Sequence, residues 1–354
     1  MKFIYWFAYF NLGSPSVRYR AQYPLAYFER EHGVKHLLVV PGYSPGKLLC
    51  FLGAYFSALL FRKKGSLIVI QRVSSGFIYA AALKLLVKVR RKRTIYDLDD
   101  ADYLEHDPHT IHFFAANCER VSAGSRAIME HLGQFNKNIS FVTSPVIDLG
   151  IVKKERAAVF TIGWIGDFGG GHKQGLVQLV FPALKCFTLL TKVILIGVRQ
   201  QEDVRWIREH FAASPHIVLE FPQPPSWEDE HWIQQRIAGF DVGVATLVDT
   251  PIQRAKSGIK AKQYLNNGVP VLSTYQPEND HVVVDGVNGY FFSNAQEFHE
   301  RISVLRSMSH AEYTTLSTNA RASIKAFDHA HYYRNFLELS RPVSTDLPGA
   351  SCPI

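Results

Sequence analysis

One strand–helix–strand unit in the second half of the chain restricts the fold more than any other feature. Residues 240–247 form an apolar run with small side chains, which is typical of a buried strand, and residues 269–274 form another. Between them, residues 256–266 carry a helical pattern that ends at Asn267 and Gly268. Two strands joined through one helix lie parallel, with a right-handed crossover. The unit therefore predicts a parallel α/β sheet whose ligand site lies at the carboxyl ends of its strands.

The same alternation of strand and helix runs through both halves of the 354-residue chain. Apolar runs predict first-half strands at residues 2–10, 36–41, 66–71, 94–98, 120–123 and 139–142, and second-half strands at 159–165, 192–197, 216–221, 241–247, 269–274 and 290–292. A segment that carries Pro145, Gly150 and a charge run, residues 143–158, separates the two halves. We therefore predict an α/β protein built from two Rossmann-like, doubly wound domains that face a central cleft.

The domain boundaries follow from this linker. We expect a first domain at residues 1–150 and a second at 151–325. A last helix at 326–340 should pack back on the first domain. The tail at 341–354 contains three prolines and is predicted to be disordered.

Cysteine usage and the N-terminus indicate where such a chain works. The four cysteines are scattered and form no C-x-x-C pair, which argues against a disulfide framework or a zinc site and favours a reducing, cytoplasmic compartment. The apolar run Phe3–Phe10 is short and lacks a small-residue cleavage site, so we interpret it as the first strand and not as a signal peptide.

The longest apolar stretch, residues 48–61, leads directly into Arg62, Lys63 and Lys64. It is shorter than the ~18 apolar residues that a membrane-spanning helix needs. It can form either a buried core helix or a helix at a membrane interface, and we favour the core helix.

Charge is distributed unevenly between the halves. Residues 1–156 hold 22 Lys and Arg against 12 Asp and Glu, whereas residues 157–354 hold 17 against 19. The excess is concentrated at 84–93 (KLLVKVRRKR) and at 62–64. Such patches favour an anionic partner, which can be a membrane surface, a phospholipid or a nucleic acid.

Cationic side chains gather at the start of the helix predicted at 256–266. Arg254, Lys256, Ser257 and Lys260 lie there, although the positive end of the helix dipole disfavours cations. This placement makes sense if a phosphate or diphosphate binds. The alternative is a solvated basic turn.

A glycine-rich loop, WIGDFGGGHK, follows the first strand of the second half. Gly166, Gly169 and Gly170 allow the backbone to approach a ligand closely, and His172 or Lys173 can neutralise phosphate oxygens. The alternative is a turn that is merely flexible.

Four motifs now occur in order: IGWIG at 162–166, FDVGVA at 240–245, the segment from Lys256-Ser257-Gly258-Ile259-Lys260 to Gly268-Val269-Pro270-Val271, and Asp285-Gly286-x-Asn288-Gly289. The first half adds Arg18-Tyr19-Arg20, Gln71-Arg72, the segment 96–100 and Ala123-Gly124-Ser125. Over about residues 1–325 this set resembles the retaining glycosyltransferases of family four (glycosyl transferases group 1), which have the GT-B fold.

The resemblance implies roles for individual residues. The first domain would bind the acceptor and the second a nucleotide diphosphate sugar. The catalytic set that stabilises the leaving diphosphate would be Lys256, Lys260 and Lys173. The donor-binding set would be Gly166, Gly169, Gly170, His172, Arg254, Ser257, Gly258, Ile259 and Gln263. The acceptor cleft would contain Gly13, Arg18, Arg20, Arg72, Asp99 and Asp100; its arginines can instead form plain salt bridges with the aspartates.

Two positions depart from the family pattern. Asp167 stands near the place of an expected arginine, and Gln263 stands where the family has a glutamate for the ribose. A glutamine still hydrogen-bonds a hydroxyl, without the strength of a charged acceptor. Asp97 and Asp99 form a D-x-D pattern, but it lies far from the donor motifs, and the resemblance implies no metal and no cofactor.

The expected activity is sugar transfer to a glycan or lipid-linked acceptor with retention of configuration, in the cytoplasm or at the inner membrane face. The leaving phosphate would accept the acceptor's proton. The alternatives are a sugar-nucleotide epimerase of the same fold and a non-catalytic protein that binds nucleotide sugars. Nucleic acid is a less favoured partner, because aromatic side chains do not interleave with the basic run at 84–93.

Overall fold

The computed structural model describes residues 1–42, 44–60 and 65–341. The basic triplet 62–64 and the predicted disordered tail beyond Arg341 lie outside the described residues.

All strands of the first half belong to one parallel sheet with the order β2-β1-β3-β4-β5-β6. They are β1 (Phe3–Ala8), β2 (Lys35–Val39), β3 (Ser66–Gln71), β4 (Thr94–Leu98), β5 (Arg120–Ala123) and β6 (Ile139–Phe141). Each lies within or beside a predicted apolar run, and the N-terminal run forms β1. The chain reverses its direction of progress across the sheet between β1 and β3.

The second half forms another parallel sheet, ordered β12-β11-β10-β7-β8-β9. Its strands are β7 (Thr161–Ile165), β8 (Thr191–Ile196), β9 (Ile217–Glu220), β10 (Val242–Ala245), β11 (Val271–Ser273) and β12 (Gly289–Phe291). Here the direction reverses between β7 and β10. The prediction of an α/β fold with two doubly wound sheets is therefore confirmed.

Helices connect the strands and cover the sheets. In the first half they are α1 (Pro15–Val17), which continues through a π-helical turn (Arg18–Gln22) into α2 (Tyr23–His32), then α3 (Pro45–Leu60), α4 (Phe77–Val89), α5 (His109–Asn117) and α6 (Arg126–Leu132). The second half holds α7 (Gly170–Gly175), α8 (Phe181–Lys185), α9 (Gln201–His210), α10 (Glu230–Ala238), α11 (Pro251–Arg254), α12 (Ile259–Asn266), α13 (Ala295–Ser307) and α14 (His310–Ser323).

The last helix, α15 (His329–Ser340), lies against the first sheet and α2. The ring of Phe336 stacks on Trp6 of β1 at 5.4 Å, and the hydroxyl of Tyr332 donates to the carbonyl of Arg20 at 3.0 Å. The chain thus returns from the second sheet to the core of the first.

The helix expected at 256–266 differs from the structure at its start. Pro251–Arg254 forms the short helix α11, and α12 begins only at Ile259. Gly258 precedes α12 in the left-handed region with φ 66°, which breaks the helix and which side chains other than glycine rarely adopt. Lys256 therefore lies in the loop before α12, whereas Lys260 lies in the first turn of the helix.

The expectation of a core helix at 48–61 is also wrong. Ala54, Tyr55 and Ala58 of α3 are buried against the sheet. Most of its other apolar side chains, Leu48, Leu49, Leu52, Phe56 and Leu60, are exposed. The outer surface of α3 carries leucines, whereas a typical surface helix has polar residues there. An apolar sequence therefore did not mean that the whole helix is buried.

Candidate active site

A cleft of about 300 Å³ lies between the carboxyl ends of the two sheets. Its walls come from the loops after β1, β3 and β4 on one side and after β7 and β10 on the other. Both places where the strand order reverses therefore open into the same cleft. Ligands of doubly wound sheets bind at such points, because adjacent loops there diverge and leave a crevice.

The structure brings most of the predicted site residues together in this cleft. From the acceptor set these are Gly13, Arg18, Arg72, Asp99 and Asp100, and from the donor and catalytic sets Gly166, His172, Lys256, Ser257, Gly258, Ile259, Lys260 and Gln263. Side chains and loops that are far apart in sequence thus form one surface.

Two cations of the predicted donor-binding and catalytic sets do not line the cleft. Lys173 turns towards α9, where its ammonium group lies 2.7 Å from Asp203. Arg254 is exposed and donates to both carboxylate oxygens of Asp249, at 2.5 and 2.7 Å. Each cation is held by a carboxylate of its own half, outside the cleft lining. Gly169 and Gly170, at the start of α7, are also not among the lining residues.

Arg20 lies beneath the cleft and not in it. Its guanidinium is fully buried and pairs with Asp97 of β4, with Nε donating to Oδ2 at 2.8 Å. The same group donates to the carbonyl of Val142 at 2.7 Å. The expectation that Arg20 belongs to the acceptor cleft is therefore corrected, because these partners occupy its guanidinium inside the first half.

An ion-pair network crosses the cleft. Arg72 pairs with Asp100 at 2.6 Å and with Asp102 at 2.7 Å, and the ammonium group of Lys256 lies 2.7 Å from Asp100. Burial alone would raise the pKa of Asp100, but Arg72 and Lys256 lower it. Arg72 has φ 54°, an uncommon conformation for a residue other than glycine, which is typical of strain held at a functional position. Asp100 therefore connects the two halves as a carboxylate.

Asp99 has different surroundings. It is buried and accepts a hydrogen bond of 2.5 Å from the hydroxyl of Ser16. Burial raises the pKa of its carboxyl group, against the lowering effect of Arg72 and Arg20. The two neighbouring aspartates thus differ in proton affinity, as acid and base groups of active sites often do.

Lys260 is the most unusual cation of the site. Its ammonium nitrogen lies 3.0 Å from Nε2 of His172, and among the described residues no carboxylate forms a salt bridge with it. Burial, together with the charge of Lys256, lowers the pKa of Lys260 to about 7. Lys260 and then burial lower the pKa of His172 to about 2. The charged form of Lys260 is therefore disfavoured here, and a bound anion would favour it.

Backbone geometry leaves room for this lysine. A Cβ atom on Gly166 would lie 2.7 Å from Cε of Lys260 and 3.0 Å from the Trp164 ring. A side chain at this position would have to displace the end of Lys260 and press on the Trp164 ring. The glycine-rich sequence signal thus marks a real close approach at Gly166.

Gln263 forms a second bridge across the cleft. Its amide Nε2 lies 2.6 Å from the hydroxyl oxygen of Tyr19, and this hydroxyl donates to the buried carboxylate of Glu230. Burial raises the pKa of Glu230. Sequence reasoning named Tyr19 within a motif but missed its role, and it missed Glu230 entirely. Only the packing of α10 against the first half brings this carboxylate close.

The cleft also contains an aromatic–cation pair that the sequence did not single out. The guanidinium carbon of Arg199 lies 5.2 Å from the ring centroid of Trp227. Both residues line the cleft next to Ile165 and Ile233. Such a wall suits a flat, conjugated group. The sequence places Arg199 in the loop after β8. This position alone does not distinguish it from arginines in other loops, so the sequence did not predict its role in the cleft.

Among the residues that the structure describes, no group of three or more His, Cys, Asp or Glu side chains could hold a metal ion. The D-x-D pattern is divided between separate partners, since Asp97 pairs with Arg20 and Asp99 accepts from Ser16.

Two doubly wound parallel sheets that face each other across a cleft define the GT-B fold, and solved GT-B glycosyltransferases match nearly the whole chain. HepE from Anabaena, solved in complex with UDP-glucose, matches with a TM-score of 0.68 at 15% identity, covering 96% of this chain and 99% of that one.

A glycosyltransferase from Rickettsia africae gives a TM-score of 0.69 at 13% identity over 96% of this chain and 97% of its own. Sucrose-phosphate synthase from Thermosynechococcus elongatus gives a TM-score of 0.68 at 11% identity, covering 96% of this chain and 98% of its own. No known protein-family profile matches the sequence, and no curated protein matches it. The likeness therefore establishes the GT-B fold.

Proposed function

We propose that this protein is a glycosyltransferase that moves a sugar from a nucleotide diphosphate sugar to a glycan or lipid-linked acceptor, with retention of configuration. One observation carries the proposal. Lys260 is buried beside His172 and Lys256 in the cleft between two doubly wound sheets, and no side chain among the described residues forms a salt bridge with it. A diphosphate would supply a negatively charged partner for Lys260.

On the donor side, the diphosphate contacts Lys256, Lys260 and the first amides of α12, with Ser257, Gly258 and Ile259 forming the turn around it. Gln263 faces the ribose, and the Arg199–Trp227 wall faces the base. The cations stabilise the negative charge that develops on the leaving diphosphate as the bond between the sugar and its oxygen breaks.

On the acceptor side, Gly13, Arg18, Arg72 and Asp99 surround the attacking hydroxyl. The acceptor oxygen forms its bond to the anomeric carbon on the face that the diphosphate leaves, and the hydroxyl proton passes to the departing phosphate oxygen. Because the lysines supply the positive charge, the proposed reaction needs neither a carboxylate nucleophile nor a metal or other cofactor.

The structural neighbours support the choice of donor. HepE has been solved with UDP-glucose, with UDP, and with UDP and glucose.

A non-catalytic protein that binds nucleotide sugars is the second candidate. Two observations favour this binding protein. Gln263 already forms a hydrogen bond with Tyr19, and Lys173 pairs with Asp203 outside the cleft lining. An epimerase of the same fold would turn over the nucleotide sugar without an acceptor.

Thermal denaturation with UDP-, GDP- and ADP-sugars tests the donor site, and we expect one nucleotide series to stabilise the protein. Turnover of the radiolabelled donor with a membrane extract then separates the candidates. Transfer of label into glycan or lipid supports the transferase, an epimerised nucleotide sugar supports the epimerase, and stabilisation without turnover supports the binding protein. If no nucleotide sugar stabilises the protein, the proposed donor site is wrong.

A further inference from the structure

The outer surface of α3 is apolar along its whole length. Its exposed residues follow a helical repeat, with Leu48, Leu52, Phe56 and Leu60 each four positions apart and Leu49 beside them. Leu49 is 70% exposed. Contiguous exposed apolar surface is unfavourable in water and favours association with another apolar surface.

Helix α4 extends this surface. Ile78, which is 81% exposed, and the exposed Leu85 and Val89 lie on its outer side. The two helices run side by side, since the rings of Phe51 and Tyr79 are 5.1 Å apart and Arg90 donates to the carbonyl of Leu59 at 2.7 Å. We call this combined surface the apolar face, defined by Leu48, Leu49, Leu52, Phe56, Leu60, Ile78, Leu85 and Val89.

The charged side chains of α3, α4 and the segments that adjoin them in the sequence have one sign. No Asp or Glu occurs anywhere between residues 32 and 96, a stretch that contains both helices and twelve lysines and arginines. Lys84 and Lys88 of α4 lie over the ring of Phe113, at 5.3 and 5.7 Å, and Arg91 is exposed just beyond the end of α4. Lysine and arginine at the edge of an apolar helical surface are attracted to anionic phospholipid headgroups.

We propose that the apolar face binds the surface of a bilayer that contains anionic phospholipid. The helices lie flat, with leucine and phenylalanine side chains among the upper acyl chains and the basic side chains among the headgroups. In the part of the chain that the structure describes, no helix is both long enough and apolar enough to cross a membrane. The 16 residues of α3 span about 24 Å, which suits a helix in the interface plane.

The position of the apolar face relates it to the cleft. Helices α3 and α4 follow β2 and β3, so both begin at the carboxyl edge of the first sheet, where the cleft opens. The hydroxyl of Tyr9, in the loop that leads to Gly13 and Arg18, bonds to that of Ser75 just before α4. This geometry lets a lipid-linked acceptor reach the cleft while its tail remains in the bilayer, a consequence that rests on the proposed function. The proposed binding of the apolar face to a bilayer does not depend on that function.

Flotation with lipid vesicles tests the proposal without any nucleotide sugar. We expect the full-length protein to float with phosphatidylcholine vesicles that contain about 30% phosphatidylglycerol, and to float much less with pure phosphatidylcholine. Raising the salt from about 50 mM to about 500 mM NaCl should weaken binding, because screening reduces the attraction of the basic side chains.

Two matched pairs of variants locate the surface. Leu48→Ser with Leu49→Ser should lower the partition constant about tenfold, whereas Leu189→Ser with Leu190→Ser, an equally exposed leucine pair of the second half, should leave it unchanged. Arg91→Glu with Lys92→Glu should also lower it about tenfold. Lys154→Glu with Arg205→Glu makes the same change in net charge at exposed sites of the linker and α9, and should have a much smaller effect.

Thermal denaturation of each variant shows whether the fold is intact. Equal flotation of the α3 variant and its leucine control would overturn the proposal, as would equal binding to neutral and anionic vesicles. Light scattering gives a further decisive result. If the wild-type protein is a dimer and the Leu48→Ser, Leu49→Ser variant a monomer, the apolar face is an interface between copies, and the membrane proposal fails.

Discussion

The ammonium nitrogen of Lys260 lies 3.0 Å from Nε2 of His172 at the inner wall of the cleft. The lysine comes from the first turn of α12 and the histidine from α7, and the glycine at position 166 makes room for the lysine side chain. Lys260 lowers the pKa of His172, while burial and then the charge of Lys256 lower the pKa of Lys260. A diphosphate bound beside Lys260 would favour the charged form of the lysine.

Nucleotide binding should take up a proton near neutral pH. Burial and the charge of Lys256 lower the pKa of Lys260 to about 7, and a bound diphosphate would raise it by favouring the charged form. Affinity should therefore be independent of pH well below 7 and fall as pH rises above 7, by up to about tenfold per pH unit. Calorimetry at about pH 8, in buffers with different ionisation enthalpies, measures the proton uptake directly.

Lys260→Arg provides the control for this proton uptake, because the guanidinium stays charged across this range. The variant should bind the stabilising nucleotide without taking up a proton. Proton uptake by the variant equal to that of the wild type would assign the titration to another group.

Lys260→Met should stabilise the empty protein while it abolishes the thermal shift caused by the nucleotide. The folded-state pKa of Lys260 is depressed below the ordinary 10.5, so folding disfavours its charge. The stability gain should be full below about pH 7 and shrink as pH rises towards 10.5. A gain of ~1 kcal/mol would raise Tm by about 2–4 °C. Lys192→Met, on β8 outside the cleft, is the control and should keep the nucleotide shift.

Gln263→Glu should destabilise the empty protein at neutral pH. The Tyr19 hydroxyl has one proton, which it donates to Glu230. A carboxylate at position 263, where the Gln263 amide now donates to this hydroxyl, would therefore have no proton to accept from it. The folded protein then retains an extra proton, and the loss in Tm should be smaller at about pH 5.5 than at about pH 7.5.

Adding Glu230→Gln to the Gln263→Glu variant should restore Tm, because it exchanges the two groups around Tyr19. A double-mutant cycle measures this coupling. Additive effects of the two substitutions would mean that the hydrogen-bonded bridge through Tyr19 does not exist in solution.

Arg20→Met should lower the free energy of unfolding by about 3–5 kcal/mol, since it leaves the buried carboxylate of Asp97 unpaired. Urea denaturation measures the loss. Arg30→Met removes an arginine from the exposed pair with Glu31, and the change should stay below about 1 kcal/mol. A small loss for Arg20→Met would argue that this residue serves the ligand and not the fold, as the sequence first suggested.

Residues close in sequence were the ones that could be predicted. Apolar runs fixed the strands, since a buried parallel strand must be apolar on both faces. The motifs at 162–166 and 256–271 placed Gly166, Lys256, Lys260 and Gln263 in the segments that follow strands of the second sheet, and parallel strands direct such segments to one edge. The two-sheet fold and most cleft residues followed from these local patterns.

Partner choice was decided only by tertiary structure. Lys173, Arg254 and Arg20 had the same local signal as Lys260, but each pairs with a carboxylate outside the cleft, at Asp203, Asp249 and Asp97 respectively. Similarly, composition could not show which side of α3 faces solvent, because both sides are apolar. Charge pairing and burial depend on distances between segments remote in sequence, so only the folded chain determines which cation remains for a ligand.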